Sequence, residues 1–198
     1  MVIPFAFSRS SCSEIVASMS QQARKSPHIN QRSGVSVRLS IANYETLVAN
    51  ATRRALRNGE DEVVPRICDL EALVSSTAGK VEFETVDDGR EEQILDRIIK
   101  AAILETFRAQ CKPEKLTAVV QVFDEGLVLH TGEDVAASEY AKALSQVPAI
   151  RETLVDLDVG ETPAGVASAI EFVLEGLHLS KRLNKDALGA KATYRGRG

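Results

Sequence analysis

The alternation of apolar and polar positions is organised around residues 29–59, INQRSGVSVRLSIANYETLVANATRRALRNG. The stretch opens as a polar loop around Arg32, Ser33 and Gly34 and continues as an amphipathic helix. Ile41, Tyr44, Leu47, Val48, Ala51 and Ala55 recur at helical spacing and define its apolar face. Asn58-Gly59 supplies the residue pair that best tolerates a left-handed stop. Arg38 stands at the helix start. A planar, permanently charged guanidinium there can reach outward to a phosphate bound by another part of the molecule.

The flanking pattern is helical as well. Ser11-Cys12-Ser13-Glu14 has the form of a capping box, and Ile15, Val16, Met19 and Ala23 predict a helix ending near Lys25, before Ser26-Pro27. His28 falls in the loop that follows. Beyond Gly59, Glu60-Asp61-Glu62 reads as a solvated acidic turn, and Pro65 makes 63–67 extended. Asp69 predicts the cap of a short helix through Leu70, Leu73 and Val74.

After an acidic linker at 81–89, with Asp88 and Glu91 as a second box-like cap, comes the longest helical signal, 91–110. Its stripe of Ile94, Leu95, Ile98, Ile99, Ala102, Ile103 and Phe107 lasts under three heptads, which suits core packing rather than a coiled coil. Lys112-Pro113 interrupts, 114–125 restarts, and Leu127–His130 is a short apolar link able to extend. Two short helices, 138–147 and 148–157, precede a last one capped by Thr162 with Pro163 at its first position. Val166, Ile170, Val173, Leu174 and Leu177 give its buried face, with His178 partly buried beside it. Residues 180–198 carry six basic residues against Asp186 and read as a solvated tail, whose functional alternative is contact with an acidic partner or nucleic acid.

Composition narrows the choice of class. With 198 residues and 44% hydrophobic content, the chain is long and apolar enough for a real core, one or two small domains in size. Aromatics at 5% and no tryptophan favour Leu/Ala/Val-rich helical packing over a β-sandwich. A formal net charge of −4 speaks against nucleic acid as the partner of the whole protein. Cys12, Cys68 and Cys111 are odd in number and far apart, which points to reduced thiols in a cytoplasmic protein rather than to disulfides or zinc. No apolar run has the length of a membrane span. His130 with Glu133 and Asp134 lacks the second histidine that would make a metal site of that loop. No nucleophile–base constellation stands out.

Gly34-Val35-Ser36-Val37-Arg38-Leu39 with its helix resembles the second-sensor helix of the AAA+ ATPases, in which a small residue and an arginine precede a run of leucines and alanines. Together, NQRSGVSVRLSIANYETLVANA and EFVLEGLHLSKRLNKD, in this order, resemble the C-terminal half of the ATPase subunit of magnesium chelatase and of related MoxR-type proteins, from about Ser13 onward. The resemblance implies an all-α architecture: a lid-type helical bundle with the sensor helix (1–79), a C-terminal helical domain (80–180) and a basic flexible tail (181–198). It implies that Arg38, with Arg32 assisting, contacts the γ-phosphate side of ATP, and that the complete protein hydrolyses ATP with Mg2+ in a ring oligomer.

The chain departs from the family in one respect. The only Gly-Lys pair, Gly79-Lys80, is followed by Val81 and has no glycine five residues earlier, so a phosphate-cradling G-x-x-x-x-G-K-[ST] loop is absent. Residues 119–125 imitate an acid-tipped strand, but Lys115, Leu116, Val119, Val120 and Phe123 recur at helical spacing. The expectation is a lid and C-terminal region whose ATPase core lies upstream in the same polypeptide or in a neighbouring subunit, with no hydrolysis by this chain alone. The competing expectation is a stand-alone helical module that binds a partner protein and has no catalytic role.

Overall fold

A computed structural model describes residues 11–32, 35–84, 90–159 and 162–197. Its centre is the helix that the sequence places last. This helix, Pro163–Leu179, opens with Thr162 as cap, whose hydroxyl accepts the Gly165 N–H at 3.2 Å. Every residue from Ala164 to Leu177 is buried, not one face alone. Only two charges interrupt an otherwise apolar or small-residue run, and a helix without a polar face must be enclosed on all sides.

Seven further α-helices and a small sheet do the enclosing among the described residues. In chain order they are α1 (Ser11–Lys25), α2 (Val37–Asn58), a 3-10 helix (Ile67–Glu71) running into α3 (Ala72–Ala78), α4 (Glu91–Gln110), α5 (Pro113–Asp124), β1 (Val128–Gly132), α6 (Ala137–Gln146), α7 (Pro148–Asp156), the central α8 (Pro163–Leu179), β2 (Asn184–Leu188) and β3 (Lys191–Arg195). The 3-10 helix, α4, α6 and α7 pack on α8, α1 packs on α4, and α2 packs on α1 and α3. The main cluster of buried side chains is continuous from Cys12 to Tyr194 and does not break at residues 79–80. No helix among the described residues is long and apolar enough to cross a membrane.

The chain is thus mostly helical, as expected, but not purely so. Residues read as a basic solvated tail form two of the three strands. β3 pairs antiparallel with both β1 and β2 in the order β1-β3-β2, with Leu129 and Lys185 both opposite Tyr194. Gly189, at φ 57°, supplies the positive φ that so short a hairpin connection favours. Tyr194 is 2% exposed, and it turns a run of surface charges into a strand with one anchored face. Polarity alone suggested a tail because Asp186, Ala187 and Leu188 of β2 and Lys191 and Arg195 of β3 do face water.

Several cap and face assignments also shift. The Ser11 hydroxyl donates to Gln110 Oε1 at 2.9 Å, and Glu14 accepts from Gln110 Nε2 at 2.7 Å, so the expected capping-box pair ties α1 to α4. Ile41, expected on the buried face of α2, is 54% exposed. Leu47, Ala51 and Ala55 are buried as expected, and Leu39, Asn43, Asn50 and Arg54 complete the buried side. Asp88, expected to cap α4, lies outside the described residues.

Packing against α8 is close enough to exclude a methyl group at Gly176, where a Cβ would meet the Phe107 ring at 2.1 Å. That ring is itself buried and edge-on to Phe172, centroids 5.9 Å apart. Gly176→Ala is therefore expected to destabilise the fold by about 1–3 kcal/mol, the usual cost of overpacking. A lower midpoint in urea with an unchanged slope is the expected result; an unchanged midpoint would contradict this packing.

Candidate functional site

The start of α2 is fixed from both sides. Ser36, in extended conformation, accepts the Arg38 backbone N–H on its hydroxyl at 3.2 Å, which caps the helix. Val35 and Leu39 are buried, Arg24 donates to the Val35 carbonyl at 3.3 Å, and the Ser20 and Ser40 hydroxyls lie 2.7 Å apart between α1 and α2. The far end closes with Gly59 in the left-handed conformation at φ 65°, as the sequence predicts.

On this rigid base Arg38 is exposed, and its guanidinium has no partner among the described residues. Val37 and Ile41 flank it at 66% and 54% exposure. An open groove of about 580 Å3 runs between α1 and α2 beside it, with Val16, Ile41 and Tyr44 among its walls. Arg32 is exposed in a turn, its backbone N–H donated to Asn30 Oδ1 at 2.9 Å. Of the residues between the two arginines, 33 and 34 lie outside the described residues.

Another arginine of the same helix has the opposite fate. Arg54 is 1% exposed. It donates to both Asp69 oxygens, to Glu60 Oε2 at 2.8 Å and to the Val64 carbonyl at 2.8 Å. Arg66, also buried, donates to the other Glu60 oxygen at 2.5 Å and to the Val135 carbonyl at 2.9 Å, with its guanidinium 5.1 Å from the Tyr140 ring centroid. Asp69 accepts the Arg66 N–H, and Glu60 accepts the Ala137 N–H at the start of α6. Two cations and two anions close a neutral set that joins α2, the 3-10 helix and α6. Burial opposes the charge on Arg54, but the Asp69 carboxylate more than offsets it and holds the guanidinium firmly protonated.

Glu60 therefore belongs to the interior, not to a solvated acidic turn. The spacing did carry a signal, since Arg54 lies seven residues after Leu47 and three after Ala51, on the buried stripe. The acids of the next loop act as surface partners: Glu133 and Asp134 pair with Arg57 at 3.1 and 3.3 Å, while His130 Nδ1 lies 3.0 Å from Thr193 Oγ1.

A second polar cluster hangs from α8. Glu171 accepts the Tyr140 hydroxyl at 2.6 Å and the Cys68 backbone N–H at 3.0 Å. One turn on, Glu175 Oε2 accepts the Tyr194 hydroxyl at 2.5 Å and Lys185 Nζ at 2.7 Å, so it is the anchor that holds the β2–β3 hairpin to the core. Burial raises the Glu171 carboxyl above the ordinary glutamate range, against the opposing pull of Arg66 and Tyr140. Burial, then the neighbouring Glu171 and Asp69, pushes the Cys68 thiol far up, which makes it inert as a nucleophile near neutral pH. The same cause pushes Cys111 up to about 12.

Two expectations follow. Arg54→Ala leaves Asp69 and half of Glu60 buried and unpaired, and should cost about 3–5 kcal/mol in unfolding free energy; a loss below 1 kcal/mol would show that water replaces the guanidinium. For Glu171 the folded chain holds its proton more tightly than the unfolded chain does. Its contribution therefore makes stability fall as pH rises from the ordinary glutamate value to its raised folded one. Glu171→Gln should flatten that negative slope, read from urea midpoints between pH 4 and 8; an unaltered slope would contradict the assignment.

No protein-family model matches this chain, and neither a curated protein nor a solved structure matches it.

Proposed function

We propose that this chain is the lid and C-terminal helical region of a magnesium-chelatase-like AAA+ ATPase, and that it contributes Arg38 to a nucleotide site completed by a core with its own phosphate-binding loop. The observation that carries the reading is the placement of Arg38. It projects from the capped first turn of a helix locked by tertiary contacts, unpartnered among the described residues and flanked by exposed Val37 and Ile41. An exposed arginine fork on a capped helix start suits phosphate recognition, because the backbone beneath it is already ordered and only the side chain has to be immobilised on contact. The apolar residues beside it suit a surface that is covered in the complete assembly.

In this reading ATP and Mg2+ are held mainly by the core. Arg38 stabilises charge on the γ-phosphate side and couples hydrolysis to movement of the lid, with Arg32 as an auxiliary cation. The chain hydrolyses nothing alone, and the complete protein is a ring oligomer in the cytoplasm. The exposed Val37 and Ile41 also favour a second reading, a helical interaction module without catalytic activity that docks a partner protein on the same face.

Arg38→Ala separates the two. In a complex containing the core, the variant should lose ATP turnover, while the unfolding free energy of the lid stays within about 0.5 kcal/mol of the parent, as for an exposed residue without partners. Unchanged turnover in a folded variant would remove Arg38 from the mechanism and leave the interaction module.

A further inference from the structure

The outward face of α2 carries apolar residues and two unlike charges in a self-complementary order. Val37 and Ile41 lie one turn apart on it and are more than half exposed. Ile41 also lines the open groove between α1 and α2, together with Tyr44, Val16 and Ala17. Tyr44 is half-buried there and hydrogen-bonded to Ser13. Arg38 and Glu45 are both exposed, and neither side chain has an ion-pair or hydrogen-bond partner among the described residues.

The two charges stand about 10 Å apart along α2, two turns of helix, so they do not pair with each other. At about 100° per residue, Arg38 and Glu45 fall on the same flank of Ile41, while Val37 and Tyr44 fall on the other. Along the axis Arg38 lies about 4.5 Å before Ile41 and Glu45 about 6 Å after it, so a point between Ile41 and Ala42 is nearly midway between them. A two-fold axis through that point, perpendicular to α2, reverses the helix direction and keeps each flank on its own side. Arg38 of each copy then stands beside Glu45 of the other, Val37 beside Tyr44, and Ile41 against its own mate at the centre. Glu45 also comes alongside the first turn of the other copy's α2, which holds no acid of its own and where the helix dipole favours a carboxylate. A parallel copy would instead bring like charges level with each other.

We propose that this face pairs with a second copy of the chain, α2 antiparallel to α2, with Val37, Ile41 and Tyr44 as the apolar centre and two reciprocal Arg38–Glu45 ion pairs along one flank. The proposal supplies a partner for the reading of this face as an interaction surface, and it rests on that reading. The dimer covers Arg38, so it and a phosphate contact by Arg38 exclude one another.

The test follows the mass of the full chain against concentration by sedimentation equilibrium. Reversible monomer–dimer exchange at micromolar concentrations is expected for so small an interface, and added salt should weaken it. Arg38→Glu alone, or Glu45→Arg alone, sets like charges against each other and should weaken dimerisation at least roughly tenfold. The double exchange, Arg38→Glu with Glu45→Arg, should bring it back to within roughly threefold of the parent. All of these positions are exposed, so the variants should keep the parent's unfolding midpoint at concentrations where the chain is monomeric. A chain that stays monomeric throughout, a dimer indifferent to both single exchanges, or a folded double exchange no tighter than the single ones would overturn the proposal. The dimer is measured on the chain alone and ATP turnover with the core present, so failure of the pairing is distinct from failure of either reading of Arg38 in the complex.

Discussion

The pairing of Arg54 with Asp69 is the contact on which the arrangement of the first half of the chain depends. A guanidinium at 1% exposure is tolerable only where carboxylates and carbonyls meet its donors, and Asp69, Glu60 and the Val64 carbonyl do so. That requirement fixes the path of residues 60–69 along α2. It also fixes Arg66, which shares Glu60 and reaches the Val135 carbonyl ahead of α6. Such a set adds little net stability over a well-packed apolar core, because desolvation offsets most of the Coulomb gain. In the observed placement of α2, the 3-10 helix and α6 the four charges compensate one another.

The second half of the chain is organised by α8, and two glutamates on one side of it attach the elements that no apolar contact alone would orient. Glu171 receives Tyr140 from α6 and the backbone of Cys68 from the 3-10 helix. Glu175 receives Tyr194 and Lys185 from the hairpin. The two clusters meet at residues 66–69, where Arg66 lies over Tyr140 and Asp69 raises the field felt by Glu171. A polar seam therefore runs through the interior from α2 to the last strand.

Arg38 and Arg54 show how one helix places the same residue type in two roles. Arg54 points into the fold and is consumed by it. Arg38 lies on the other side of α2, one residue before buried Leu39, and nothing described in the fold uses it. A charge that folding leaves free at a rigid position is available to a ligand or partner, and this is why the functional reading rests on that residue rather than on the more elaborate buried set.

Helical periodicity was local information, and the sequence by itself was enough for it. The spans of α2, α4, α5 and α8, the Thr162 cap, the left-handed Gly59 and the exposed start of α2 all follow from residues within a few positions of one another. The β2–β3 hairpin was not legible, because Tyr194 becomes an anchor only when Glu175, nineteen residues away, faces it. Glu60 read as a surface acid for the same reason: its burial depends on Arg66 and on the α6 backbone contributed by Ala137. Spacing placed Arg54 on a buried stripe, but whether a charge can stay there is decided by Asp69, which only the tertiary fold brings to it. The sequence determined which segments are helices and where they stop. The tertiary structure decided which charges are interior, because the energy of a buried charge depends on partners distant in the chain.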